Sequence, residues 1–372
     1  MSKVFIIATP LSLLVAQQIV RQEKIEDAIL WESWVEPNSQ FLKTYDLCII
    51  PTLWKKRLPP VGGFPGWDYS GVRLAHTARK TWNRYKKIKQ VLEENQVDEI
   101  FLANYQEETY RFMTVVFTHL GYKVSFYEEG SSNYVQLPYH INHGLVALLK
   151  EWGLDALYYL PLYHVRFAYW RNNPNRPTDG LPIHRRFSIV PGILHEPYDI
   201  QLKCEPMISE KLKAYLKKVV GQVADGKKVL LLTEPMDNVL PSHYLHAYYD
   251  AISDALDDMG TGFQLFVKPH PRERKELQLE TIKLLHDKNI PYQVLSTDIN
   301  IPVEYILEYI HFDEILVFNA STFFYNGYLF PKSHFRVLLR PFLKKCEQAG
   351  APAYSLGVVK GWIEKMNRLQ TL

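Results

Sequence analysis

The chain has few of the features that would assign it quickly. Its 372 residues include only three cysteines, Cys48, Cys204 and Cys346, far apart and odd in number. They allow neither a disulfide framework nor a Cys-x-x-Cys metal signature. No window reaches the roughly 18 apolar residues of a membrane span. The opening apolar run is short and soon closed by Pro10, unlike a signal peptide, so a reduced, cytoplasmic protein is expected. A formal charge of only +3 argues against a dedicated nucleic-acid binder. No G-x-G-x-x-G, G-x-x-x-x-G-K-[ST] or G-x-S-x-G occurs, which removes the dinucleotide fingerprint, the P-loop and the nucleophile elbow. A phosphate, if bound, has to be held by side chains and a helix N-terminus. His140-x-x-His143 and His243-x-x-His246 are pairs with no third ligand of obvious geometry nearby, so no metal site is expected.

What is present is a rhythm. Apolar residues make up 47% of the chain, enough for the cores of two α/β domains. Residues 3–10 and 228–235 resemble each other, each a continuous aliphatic run closed by proline, the pattern of a buried parallel strand. After the first run, Leu11, Leu14, Val15 and Ile19 repeat at helical spacing. Further strands are expected over 28–31, 46–51, 99–104 and 123–128, alternating with helical stretches over 72–95 and 108–120. The rhythm returns with strands over 263–268, 292–295, 314–319 and 336–339. Strand alternating with helix, twice over, implies an α/β fold of two doubly wound, Rossmann-like domains facing across a cleft. Proline, asparagine and glycine crowd 172–191, which marks the junction. The domains are therefore placed at 1–185 and 227–372, with a connection over 186–226.

Three motifs stand where expected strands run out. Glu128-Glu129-Gly130 follows the strand over 123–128; adjacent residues point to opposite sides, so only one carboxylate can face a ligand. That carboxylate can act as a base toward a hydroxyl, and the alternative is a solvated turn. In Lys268-Pro269-His270-Pro271-Arg272, two prolines stiffen the backbone around an imidazole set between cations, which suits an anionic phosphate. Ser321-Thr322 sits between a strand and a helix start, a place for anion binding or for an ordinary N-cap. Aromatic residues, 13% of the chain, concentrate over 139–170, and the loop 61–67 is glycine-rich with an aromatic tip. Basic residues gather over 79–89 and at Arg336, Arg340, Lys344 and Lys345. The amphipathic tail over 358–369 either covers a domain or lies on an anionic membrane.

In order and in domain, Glu128-Glu129-Gly130, His270-Pro271 and Ser321-Thr322 resemble the motifs of bacterial sialyltransferases of the two-Rossmann-domain (GT-B) type. The opening strand with Thr9-Pro10-Leu11 is similar to the start of lipooligosaccharide and capsule sialyltransferases. The resemblance implies an N-terminal acceptor domain and a C-terminal CMP-sugar domain. It implies inverting transfer of sialic acid from CMP-sialic acid to a galactoside or sialoside hydroxyl in bacterial surface glycan synthesis, without metal or cofactor. Glu128 would be the general base and Glu129 its supporting carboxylate. His270 would protonate or hydrogen-bond the departing phosphate, which Ser321 and Thr322 hold; Lys268 joins them by charge and proximity, and Pro271 by its place in the motif. The motif often has aspartate where this chain has Glu129, and Ser-Thr is the form used by only some families. Partners are then a CMP-sugar and a lipooligosaccharide or capsular acceptor, with peripheral contact at the inner face of the cytoplasmic membrane and a homodimer both compatible. The rival readings are transfer of Kdo or another CMP-ulosonic acid, and a non-catalytic protein of surface-glycan assembly that binds CMP-sugar or glycan.

Overall fold

The computed structural model describes residues 1–7, 9–32, 40–59, 83, 85–103, 113–114, 116–118, 120–128, 183–190, 200–221, 225–295 and 301–370. The chain divides into two compact units, Met1–Lys203 and Cys204–Leu372.

The first unit is built on β1 (Ser2–Ile6), β2 (Ala28–Trp31), β3 (Lys56–Leu58), β4 (Val97–Ala103), β5 (Lys123–Tyr127), β6 (Ile183–Ser188) and β7 (Ile200–Gln201). They form one sheet in the order β3-β2-β1-β4-β5-β6-β7, every neighbouring pair parallel. The central strands β1, β2, β4 and β5 are mostly apolar and buried on both faces. On one face Val4, Ile6, Trp31, Ile100, Leu102, Val124 and Phe126 pack with Leu92, Met113 and Phe117. Alternate residues point the other way, where Phe5 stacks on Phe101 with ring centroids 4.1 Å apart. The helix Pro10–Gln22 starts on a capping box: the Ser12 N–H donates to Thr9 Oγ1 and the Thr9 N–H to Ser12 Oγ, with Pro10 in the first turn.

The second unit carries β8 (Lys227–Leu232), β9 (Phe263–Lys268), β10 (Tyr292–Val294), β11 (Glu314–Val317) and β12 (Phe335–Val337), again all parallel, in the order β10-β9-β8-β11-β12. In both units the strand order reverses beside the first strand, at β1/β4 and at β8/β11. Doubly wound sheets bind ligands beyond the strands' carboxyl ends at such a switch point. The C-terminal helix Ala353–Gln370 buries Ser355, Val359 and Met366 and packs on the helix Leu339–Gln348. The amphipathic tail therefore covers the second unit. Among the described residues no helix is long and apolar enough to cross a membrane.

The structure departs from the sequence reading in three places. The strand expected over 46–51 is instead the end of a helix, Gln40–Cys48, whose buried Thr44, Tyr45 and Cys48 recur at helical spacing. The edge strand comes later, at Lys56–Leu58, where Lys56 and Arg57 are exposed. The first unit's sheet runs past residue 185, since β6 spans the expected 185/186 boundary, and the two units divide at Lys203/Cys204, inside the connection expected over 186–226. Strand β6 carries two arginines, and Arg185 explains how it can be strand. Its guanidinium donates to Glu99 from Nε at 3.0 Å and from Nη2 at 2.8 Å, and to Glu23 from Nη1 at 2.7 Å. Its planar group lies within 5.4 Å of the Phe101 ring centre and 5.2 Å of that of Phe187. The aromatic stretch 139–170, the loop 61–67, Arg79, Lys80 and Arg84 lie outside the described residues.

Candidate active site

The site grows from the carboxyl end of the second sheet. The last register pair of β8 and β9 is Leu232 with Lys268, and the Thr233 N–H extends that ladder to Lys268 O at 3.3 Å. β9 then turns through Pro269, His270, Pro271 and Arg272. On the other side of β8, β11 leads through Asn319 and Ala320 into the 3-10 turn Ser321–Tyr325. Lys268, His270, Pro271, Ser321 and Thr322 thus gather at the β8/β11 switch point of one unit.

His270 is held in one protonation form. The Arg272 backbone N–H donates to His270 Nδ1 at 3.1 Å, which leaves the ring proton of the neutral imidazole on Nε2. Burial first, and then the charges of Arg272 and Lys268, push its pKa down to about 4. At neutral pH it is a hydrogen-bond donor rather than an acid. Burial also pushes the Lys268 ammonium down, to about 8, against the pull of Glu304, so it stays mostly charged at pH 7. A buried ammonium, and a buried imidazole whose charge is opposed by neighbouring cations, would both be relieved by a bound anion.

The hydroxyl pair splits. Thr322 is buried and its Oγ1 donates to Glu304 at 2.7 Å. Glu304 is itself buried and its pKa is raised by that burial, opposed by Thr322 and Lys268. The Thr322 proton is therefore taken by a carboxyl, where a phosphate had been expected. Ser321, half-buried, has no hydrogen-bond partner for its hydroxyl among the described residues.

Five residues escaped the sequence reading: Thr233, Glu234, Glu273, Glu304 and Lys365. Burial lifts Glu234 to about 7, with Glu273 adding to the rise and the Asn319 N–H and Lys365 opposing it. Lys365, reaching in from the C-terminal helix, also lies 5.7 Å from the Phe324 ring centre. Burial likewise lifts Glu273 to about 7. Thr233-Glu234 had a legible signal, polar residues directly after an aliphatic strand. Glu304, inside the apolar helix Val303–Tyr309, had none.

In the first unit Glu128 comes directly after β5, its side chain fully buried. Its backbone N–H donates to Phe187 O at 3.3 Å. The neighbouring Tyr127 hydroxyl donates to Ile6 O at 2.9 Å, which ties the end of β5 to that of β1. Glu128 therefore belongs to the carboxyl end of the first sheet. Glu129 and Gly130 lie outside the described residues, as do His140 and His143. His246 Nδ1 lies 2.9 Å from His243 O, within one turn of chain, and among the described residues no group of three side chains could hold a metal ion.

A family model described as alpha-2,8-polysialyltransferase (POLYST) matches residues 3–338. No curated protein matches. Among solved structures the chain is similar to spinosyn rhamnosyltransferase SpnG, at 11% identity and TM-score 0.46, covering 100% of this chain and 92% of that one. It is similar to ADP-heptose lps heptosyltransferase II of E. coli at 12% identity and TM-score 0.43, covering 91% and 90%. UDP-GlcNAc 2-epimerase of Methanocaldococcus jannaschii shares 13% identity at TM-score 0.48, covering 97% and 99%.

Proposed function

The chain belongs to the alpha-2,8-polysialyltransferase family, and on that premise we propose that it transfers sialic acid from CMP-sialic acid to a hydroxyl of a sialoside or galactoside. The observation that carries the reading is His270. Its Nε2–H has no hydrogen-bond partner among the described residues, its Nδ1 is occupied, and Lys268 and Arg272 supply positive charge beside it. That combination suits a phosphate on which charge grows as a bond to it breaks.

In this mechanism the acceptor oxygen attacks the anomeric carbon. The bond from that carbon to the phosphate oxygen breaks, and CMP leaves with the electron pair. Glu128 takes the acceptor's proton, with Glu129 in support, and one displacement inverts the centre. His270 Nε2–H, the Lys268 ammonium and the Ser321 hydroxyl stabilise the departing phosphate. Pro271 with Pro269 stiffens the histidine's backbone, and Thr322, through Glu304, fixes the turn that presents Ser321. No step calls for a metal or cofactor, so turnover in EDTA should match turnover without it. The acceptor would be a lipooligosaccharide or capsular saccharide, elongated in the cytoplasm at the inner face of the membrane.

The test is CMP release from CMP-sialic acid with sialyllactose, with lactose and with neither, beside CMP-Kdo and UDP-galactose. Release selective for CMP-sialic acid and raised by a glycoside supports the reading. Turnover of CMP-Kdo alone moves the protein to transfer of that acid, and CMP binding without any turnover makes it a binding protein. His270→Ala should then lower kcat about 10²-fold. CMP affinity should fall far less; equal loss in both would reduce His270 to a binding residue.

A further inference from the structure

The backbone of the histidine turn leaves little choice of partners. Pro269 and Pro271 have no N–H, so His270 and Arg272 supply the only backbone donors between 269 and 272. Both are engaged. The Arg272 N–H holds the imidazole at Nδ1, and the His270 N–H donates to Thr233 Oγ1 at 3.2 Å. Thr233 stands directly after β8, forty residues before Glu273, and its hydroxyl donates in turn to Glu273 Oε2. Glu273 closes the circuit, its N–H donating to His270 O at 2.9 Å. Thr233 and Glu273 are 3% and 7% exposed, so water does not replace these bonds. Glu273 Oε1 is buried with no hydrogen-bond partner among the described residues.

We propose that Thr233 and Glu273 are the positioning pair that fixes the His270 backbone and ring for contact with the donor phosphate. The proposal rests on the phosphate role given to His270 above. Thr233 is the link, because its one hydroxyl accepts from the histidine's own peptide and donates to the carboxyl. The prolines hold φ, but φ alone leaves the plane of the His270 peptide free to turn. The Thr233 hydroxyl removes that freedom. Thr322 and Glu304 repeat the arrangement behind Ser321, a buried threonine hydroxyl donating to a buried glutamate.

Glu273 should also be felt through its titration. The groups facing it are Asp237, Glu234, Tyr248, Tyr249 and the His270 peptide. Its carboxyl is neutral below about 7 and charged above. A charged Glu273 adds negative charge beside the phosphate site, so its ionisation should raise the KM for CMP-sialic acid as pH climbs from 6 to 8. Lys268, losing its charge near 8, acts in the same direction.

Two measurements test the pair. The first needs no turnover: long-range ¹H–¹⁵N spectra of histidine-labelled protein read the His270 tautomer and its titration. The parent and Thr233→Ser should show the Nε2–H form persisting down to about pH 5. Thr233→Val, which keeps the volume and lacks the hydroxyl, should show mixed tautomers and a pKa moved toward the ordinary histidine value. The second is kinetic. Thr233→Val should lower kcat about tenfold or more with a smaller change in CMP affinity, and Thr233→Ser should restore it. Glu273→Gln should remove the part of the KM rise centred near pH 7 and leave the part that follows Lys268 near 8. A Thr233→Val protein with the parent's His270 spectrum and kcat overturns the proposal, as does equal loss in the Val and Ser variants. If the spectra change as expected while no donor turns over, the pair stands and the sialyl-transfer reading fails.

Discussion

Glu128→Gln is expected to lower turnover by about 10² to 10⁴, the contribution of a positioned general base, while CMP affinity stays near that of the parent. Glutamine keeps the shape and one acceptor oxygen but cannot take a proton at neutral pH. The groups proposed above for the donor phosphate, Lys268, His270 and Ser321, stand at the ends of β9 and β11 in the second unit, whereas Glu128 follows β5 in the first. A change at Glu128 should therefore leave nucleotide binding alone. Because its side chain is fully buried, a purely structural role has its own signature. In that case Glu128→Gln lowers the thermal midpoint and turnover falls only with the folded fraction. Glu129→Gln is the companion, expected to keep most of the activity; the reverse pattern would move the base to Glu129.

The parts of the molecule legible in the sequence are those whose signal is local. β8, β9 and β11 are largely apolar runs, and the last two announce a switch-point residue where they end: Lys268 and, after Asn319 and Ala320, Ser321. What escaped depends on register. Thr233 and Glu273 are partners because β8 pairs with β9 so that Leu232 meets Lys268, and nothing within forty residues of chain states that alignment. Glu304 reads as one more helix carboxylate until Thr322 is seen to donate to it. The strand expectation over 46–51 fails because the last residues of the helix Gln40–Cys48 run into Ile49 and Ile50, an apolar stretch too short for its period to show.

β6 was missed for a different reason, and that reason carries a second large effect. Arg185→Met should destabilise the protein by about 3–5 kcal/mol, the usual result of removing one partner from a buried ion pair. Arg185 is a poor strand residue by pattern and becomes a good one only because Glu99 waits on β4. That carboxylate is 2% exposed and also takes the Ser125 hydroxyl at 2.6 Å, with Lys3 at 3.6 Å. Methionine fills the space between Phe101 and Phe187 but leaves Glu99 with one hydroxyl and one distant ammonium. The cost arises from the stranded carboxylate rather than from lost packing, so a second change should recover it. In Glu99→Leu/Arg185→Met the charge is gone from both sides, and most of the lost stability should return. Urea denaturation of the parent, both single variants and the double variant measures the coupling. A loss below about 1 kcal/mol in Arg185→Met would put the pair with ordinary surface ion pairs. A double variant no better than the single would show that Arg185 holds β6 through its aromatic neighbours and Glu23 instead.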